Sequence, residues 1–171
     1  MALDVRSSPN RLPWPPLIEA AAVVTAALGA LAFPVGVGLG PLARWLGWAL
    51  IVLGLALDFW AIATLRRART NILPNRAAGR LVTNGPFAFT RNPIYLGNTI
   101  AVAGLGGAVN SLWFVVAAII AAKLVEILAI RREEAHLAFR FGPEWVDYAA
   151  RVPRWLGLPA AIRGGRGGDA R

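Results

Sequence analysis

Long apolar segments that contain almost no charged residue recur along this 171-residue chain and limit what it can fold into. A soluble domain of this size could not bury so much apolar surface, because 57% of the residues are hydrophobic and only 16% are charged. Segments of about 17 to 25 apolar residues are long enough to cross the hydrocarbon of a bilayer as helices. The sequence therefore predicts an all-α integral membrane bundle.

Membrane spans are predicted where prolines, glycines and charges divide the apolar sequence. The predicted spans, about four in number, cover residues 17–33, 42–65, 93–109 and 112–130. Pro34 and the glycines after it end the first span, because a helix continues poorly through such a sequence. Asn92 is a suitable N-cap for the third span, and Pro93 suits its first helical position.

The two ends of the chain differ from the single membrane domain expected at residues 17–156. Residues 1–16 contain prolines and arginines and do not resemble a cleaved signal peptide, so we expect the first span to remain as an anchor. Residues 157–171 are rich in glycine and arginine and are predicted to be disordered.

Basic residues predict which way the chain crosses the membrane. They concentrate in the N-terminal tail, in residues 66–91 and after Ile130, while the opposite connections contain only Arg44. Cytoplasmic segments retain Lys and Arg, so both termini and the central loop (residues 66–92) are predicted to be cytoplasmic. We expect any active site on that side. The net charge of +9 is better explained by this topology than by a nucleic-acid partner.

The sequence also excludes some chemistry. The chain has no Cys, which removes disulfides, thiolate nucleophiles and Cys-ligated metals. His136 is the only histidine and is expected on the polar face of a C-terminal amphipathic helix that continues from the fourth span. We therefore predict no metal site.

Residues 85–97, where the central loop enters the third span, form the first candidate site. A helix start presents backbone N–H groups and a positive dipole end, and Arg91 adds a fixed positive charge. Phe87, Phe89 and Tyr95 could enclose an adenine ring. In the alternative interpretation Arg91 is a snorkelling anchor and the aromatic residues form an interfacial belt.

Adjacent acids after the fourth span form the second candidate site. Glu133 and Glu134 point about 100° apart on a helix, so only one is expected to face a shared pocket. Glu133 is expected to share the face of Glu126, which should pair with Lys123 at i, i+3. One acid could bind ribose hydroxyls or an ammonium group. Alternatively, the acids are ordinary solvated residues and the preceding arginines only mark the cytoplasmic side.

Taken in order, these motifs resemble the isoprenylcysteine carboxyl methyltransferase family, which belongs to one superfamily with the phospholipid methyltransferases. The resemblance covers residues 80–154, nearly half of the chain. Its motifs are Leu81-Val82-Thr83-Asn84-Gly85-Pro86-Phe87, Arg91-Asn92-Pro93-Ile94-Tyr95, Glu133-Glu134, Phe141-Gly142 and Tyr148-Ala149-Ala150-Arg151-Val152-Pro153.

The resemblance implies a cytoplasmic pocket for S-adenosylmethionine and methyl transfer to a lipophilic acceptor, such as the carboxylate of a prenylcysteine-like group, with membrane lipids around it. It implies that Arg91 is the catalytic residue near the reacting groups and that Arg131 or Arg132 contacts the substrate. The positions that match cofactor contacts are Leu81, Val82, Phe87, Asn92, Pro93, Ile94, Tyr95 and Glu133.

Two departures from the family pattern bear on the acceptor and not on the methyl donor. Asn92 stands where the eukaryotic prenylcysteine enzymes have His, and Trp145 stands where Tyr is usual. Two other hypotheses remain open at this point. One is an NADPH-dependent membrane reductase of the steroid-reductase type, and the other is a small transporter that uses Glu19, Asp58 or Glu126 as a coupling acid.

Overall fold

The computed structural model describes residues 14–70 and 79–156, and its regular elements in these ranges are all helical. The helices are α1 (Trp14–Ala32), α2 (Gly40–Arg67), a 3₁₀ turn (Gly85–Ala88), α3 (Pro93–Ala108), α4 (Leu112–Val125), a π-helical segment (Glu126–Ile130), α5 (Arg131–Phe141) and α6 (Pro143–Arg151). The predicted all-α fold is confirmed. The disorder predicted for residues 157–171 lies outside the described residues, as do residues 1–13 of the tail predicted at residues 1–16.

Three helices are long and apolar enough to cross a membrane, namely Trp14–Ala32, Gly40–Arg67 and the continuous helix Leu112–Phe141. The first helix begins at Trp14, three residues before the predicted start of the span, and Pro15 and Pro16 lie inside its first turn, where no backbone N–H is needed. α3 has 16 residues, which is roughly 24 Å against a hydrocarbon core of about 30 Å. Its role as a fourth span stays a prediction.

Glycines allow α2 and α3 to pack at backbone distance. A Cβ placed on Gly104 would lie 2.8 Å from the carbonyl oxygen of Gly47, and one on Gly54 would collide with the carbonyl oxygen of Gly97. The close packing predicted for Gly97 and Gly104 is therefore confirmed. This contact holds the start of α3, with its motif residues, against the end of α2.

α1 lies on the other side of the bundle, where it packs against α4. The indole of Trp113 lies over Gly29, and its Nε1 donates to the carbonyl oxygen of Phe33 at 2.7 Å. The backbone N–H of Leu112 donates to the carbonyl oxygen of Val35 at 2.8 Å. These bonds tie the end of α1 to the beginning of α4. Since α4 also packs against α3, and α3 against α2, the helices are ordered α1, α4, α3, α2 across the bundle.

α4 and α5 form one helix that is interrupted by a π turn. The backbone N–H of Arg131 donates to the carbonyl oxygen of Glu126, five residues earlier. The helix therefore continues past residue 130, where the fourth span was predicted to end, and the predicted amphipathic continuation is confirmed. Its apolar side, which includes Leu137 and Phe141, packs against buried Trp145 and Tyr148 of α6.

Substitution of Gly104 by Val tests the packing of α3 against α2. The added side chain would meet backbone atoms of α2 that cannot move independently, so we expect a loss of about 2 kcal/mol in stability. Ala49→Val on the exposed face of α2 is the matched control and should leave stability unchanged. Thermal unfolding of the purified variants in detergent measures both, and equal melting temperatures would contradict the glycine interface.

Candidate active site

A cavity of about 350 Å³ lies where the central loop meets the helices. Its walls come from the first turns of α1, the end of α2, residues 80–82, 87, 91 and 92 of the central loop, the start of α3, and parts of α5 and α6. Small-molecule sites have volumes of about 300 to 1,000 Å³ and are mostly apolar with a few directed polar groups. The cavity therefore has the size and composition of a site for one small ligand.

The structure brings the predicted cofactor positions to this one cavity. Residues from the central loop, the start of α3 and α5 meet there, although α5 is about 40 residues further along the chain. The predicted residues that line the cavity are Leu81, Val82, Phe87, Arg91, Asn92, Pro93, Ile94, Tyr95 and Glu133. Phe89 does not line it; this residue is 57% exposed, and its ring centre lies 6.5 Å from that of Trp60 on α2.

Arg131 and Arg132 do not line the cavity. The guanidinium of Arg131 donates to Glu126 at 3.0 Å, and its side chain is 56% exposed. Among the described residues, the arginines of the cavity wall are Arg80 and Arg91. The geometry therefore does not support the substrate-binding role predicted for Arg131 and Arg132.

A hydrogen bond between Tyr95 and Glu133 closes one side of the cavity. The Tyr95 hydroxyl donates to Oε1 of Glu133 at 2.7 Å, which joins the first turn of α3 to the first turn of α5. A carboxylate can accept about four hydrogen bonds, so this one does not exhaust its capacity for a ligand. The pair gives the cavity an acceptor that suits hydroxyl or ammonium groups.

Glu134 also lines the cavity, so the prediction that only one of the adjacent acids faces it is wrong. The cavity is concave and extends around α5, which lets it include side chains about 100° apart. Glu134 forms ion pairs with Arg91 at 3.4 Å and with Arg154 at 2.6 Å. The hydrogen bond to Glu134 raises the pKa of Arg154 above its ordinary value, so Arg154 stays charged.

The π turn determines which acids share a face. Arg154 bridges Glu134 and Glu126, to which its Nη1 donates at 3.3 Å. A π turn inserts one extra residue into the helix. Two residues that are eight positions apart across it therefore lie on the same side of the helix, as residues seven positions apart do in an unbroken α-helix. The expectation that Glu126 shares its face with Glu133 is therefore wrong. The predicted pair between Lys123 and Glu126 is confirmed at 3.2 Å.

His136 is buried rather than on a polar face. Its side chain is only 2% exposed, and it contributes to the cavity wall. The predicted polar-face position is therefore wrong, since α6 folds back onto α5 after Gly142 and His136 shares the cavity wall with Trp145 and Tyr148 of α6. Gly142 has a φ of 50°, in the region that favours glycine, and this permits the reversal.

Residues 152–154, the C-terminal segment, form hydrogen bonds to Arg91 and Asn92 just before α3. The backbone N–H of Arg91 donates to the carbonyl oxygen of Pro153 at 2.9 Å. The side-chain amide of Asn92 donates to the carbonyl oxygen of Arg154, also at 2.9 Å. Asn92 does precede α3, but its side chain makes no N-cap hydrogen bond there. Its amide therefore holds the motif to the C-terminal segment instead.

α6 fixes the aromatic part of the wall. The Tyr148 hydroxyl donates to the carbonyl oxygen of Phe87 at 2.8 Å, and burial raises the pKa of Tyr148 above its ordinary value. The guanidinium of Arg91 lies 5.7 Å from the ring centre of buried Trp145. Because the Arg91 side chain is only 14% exposed and is paired with Glu134, the interpretation of Arg91 as a snorkelling anchor is wrong.

Substitution of Arg154 by Ala tests the ion-pair network. Glu134 would lose its shortest ion pair and Glu126 one of several, so we expect a loss of about 2 kcal/mol in stability, allowing for partial solvent screening. Arg151→Ala is the matched control, since exposed Arg151 donates only to the carbonyl oxygen of Asp147 within its own helix. If thermal unfolding shows the same stability for the two variants, the network does not stabilise the site.

Comparison with known proteins gives one family. Residues 42–144 match the family described as phospholipid methyltransferase. The nickel-cobalt-cadmium resistance protein NccN of Alcaligenes xylosoxydans xylosoxydans is 34% identical over 114 residues, which are 66% of this chain and 52% of that protein. The cobalt-zinc-cadmium resistance protein CzcN of Cupriavidus metallidurans is 34% identical over 92 residues, which are 54% of this chain and 42% of that protein.

The chain thus spans about half the length of the curated relatives that it matches. The match to the family covers more than half of the chain and includes both α3 and Glu133. On this evidence, the chain belongs to the phospholipid methyltransferase family.

Proposed function

We propose that this protein transfers a methyl group from S-adenosylmethionine to a lipophilic acceptor at the membrane. The observation that supports the proposal most strongly is the single cavity around which the central loop, the start of α3 and the start of α5 converge. Membership of a methyltransferase family supports the same reaction over the reductase and transporter hypotheses. The basic residues of the central loop and the C-terminal region favour a cytoplasmic position for the cavity.

The residues of the cavity fit this cofactor. The Glu133 carboxylate can accept hydrogen bonds from ribose hydroxyls or from the ammonium group of the amino acid portion. Phe87 and Tyr95 offer ring surfaces for adenine. The N–H groups of the first turn of α3, together with Arg91, suit the carboxylate of the cofactor or an anionic group of the acceptor.

Methyl transfer of this kind requires orientation and exclusion of water more than covalent help from the protein. When bound, S-adenosylmethionine supplies a methyl group that is activated by its sulfonium. The chain's part is to align the acceptor with that methyl group and to keep the reacting atoms away from bulk water. Arg91 is suited to hold the reacting groups, because Glu134 and Trp145 fix its guanidinium from two sides.

The acceptor has a direct route from the bilayer. Pro15 and Pro16 of α1 and Ile62 and Leu65 of α2 line the cavity, and both helices are candidate membrane spans. α1 packs mainly against α4, whereas α2 packs mainly against α3. We therefore infer that a lipophilic acceptor enters sideways, between the cavity ends of α1 and α2.

The names of the two relatives connect those proteins with resistance to nickel, cobalt, zinc and cadmium. Within residues 14–70 and 79–156 no group of three or more His, Asp or Glu side chains is arranged to hold a metal ion. Methyl transfer is proposed for this chain from the cavity and from its family, not from the metals that the relatives' names mention.

Loss of cofactor affinity in Glu133→Ala and in Tyr95→Ala tests the proposed site. Each change removes one partner of the bond that closes the cavity, so the dissociation constant of S-adenosylmethionine should rise at least about tenfold in calorimetry. Glu144→Ala, a change of an exposed acid on α6 outside the cavity wall, should bind as the unchanged protein does. Unchanged affinity in both cavity variants would remove this assignment.

Incubation with labelled cofactor tests the reaction itself. Purified protein, methyl-labelled S-adenosylmethionine and a membrane lipid extract should yield a labelled product that partitions into organic solvent. Arg91→Ala should lower the rate at least about a hundredfold if Arg91 holds the reacting groups. NADPH-dependent reduction of the same extract, with no labelled product, would instead favour the reductase hypothesis.

A further inference from the structure

We propose that Glu19, held by Asn98, forms a subsite for a positively charged group at the α1 end of the cavity. The identity of its ligands rests on the proposed function. The positive charge would come either from the sulfonium of the methyl donor or from an ammonium group of the acceptor. Both sources share the chemistry that a carboxylate recognises in a site with little water.

Glu19 is an acidic residue inside a candidate membrane span, where acidic residues are rare. It lies in the second turn of α1, inside a candidate membrane span, and its side chain lines the cavity beside Tyr95 and Asn98. It also borders a second, much smaller void of about 10 Å³ between α1, α3 and α4. An acid inside a span is costly, and the acids that persist there face a cavity or a partner.

The hydrogen bonds of Glu19 orient its charge without neutralising it. The side-chain amide of Asn98 donates to Oε1 at 3.0 Å and to Oε2 at 2.9 Å, so one donor holds both carboxylate oxygens. Among the described residues, no Lys, Arg or His nitrogen lies within 4.0 Å of this carboxylate. Remaining lone pairs on both oxygens are available to a ligand in the cavity.

The other two acids of the cavity wall, Glu133 and Glu134, have partners of a different kind from that of Glu19. Glu134 is balanced by Arg91 and Arg154, and Glu133 accepts the Tyr95 hydroxyl. A cationic ligand group near Glu19 would supply the counter-charge that the described residues do not. Binding a cation therefore recovers part of the cost of placing Glu19 in the membrane, whereas a neutral analogue of the same shape does not.

Glu19 belongs to the part of the site that the family match leaves out. The match covers residues 42–144, while α1 ends at Ala32. The motifs of the central loop, α3 and α5 thus build the matched side of the cavity, and α1 adds a charged wall from outside that segment. Such a wall can set the choice of ligand without altering the matched residues.

The test compares two matched ligand pairs, each with one charged and one neutral member. The first pair is S-adenosylmethionine and S-adenosylhomocysteine, and the second is a dodecylammonium ion and dodecanol. Calorimetry on protein in nanodiscs of a zwitterionic lipid gives the affinity ratio within each pair. In the unchanged protein, the charged member of one pair should bind at least about tenfold more tightly than the neutral member.

Glu19→Gln should abolish that ratio while leaving the affinity of the neutral member unchanged. Glu144→Gln is the control, because Glu144 is an exposed acid of α6 that does not line the cavity. It should retain the ratio. Loss in the first pair identifies the sulfonium as the bound cation, and loss in the second pair identifies the acceptor ammonium.

A ratio that Glu19→Gln leaves intact, or no preference for either cation in the unchanged protein, would overturn the subsite. If Glu19→Gln does not fold, Asn98→Ala removes the bonds that orient the carboxylate and should lower the ratio at least about threefold. An unchanged ratio in that variant overturns the subsite equally. If the proposed function is wrong, neither adenosyl compound binds. The dodecylammonium and dodecanol pair then still tests whether Glu19 binds a positively charged group.

Discussion

The ion pairs between Arg154 and the acids of the long helix are the interaction on which the site depends. Arg154 reaches Glu134 and Glu126 at once, and its backbone carbonyl accepts the Asn92 amide. The arginine thereby joins the C-terminal segment to α5 and to the residues just before α3. The packing of α1 to α4 does not involve Arg154. The C-terminal segment, α5 and the residues before α3, in contrast, are joined to one another through this arginine.

The π turn makes that junction possible. A continuous α-helix from residue 112 to 141 would direct Glu126 and Glu134 to different sides, because eight residues advance the helix by about 80° beyond whole turns. The extra residue of the π turn removes this offset, and one guanidinium can then serve both acids. The same change of register leaves Arg131 on Glu126 and outside the cavity.

The sequence predicted the fold class well because membrane crossing depends on the length of apolar segments, which can be counted. The resemblance to a family also named residues that line one cavity in the structure, such as Tyr95 and Glu133. The sequence could not predict the π turn, since no residue type between Glu126 and Ile130 demands one. Arg154 was not predicted as a site residue, and Glu19 was considered only as the coupling acid of a transporter, because their partners, Glu134 and Asn98, lie 20 and 79 residues away along the chain.

The proposed function requires the central loop, the first turn of α3 and the first turn of α5 to enclose the methyl donor. The decisive measurement is an experimental structure of the purified protein with S-adenosylhomocysteine bound. We expect the ligand between Tyr95 and Glu133, with its adenine ring near Phe87. A ligand bound elsewhere, or side chains of Tyr95 and Glu133 that point into lipid, would refute the proposed site.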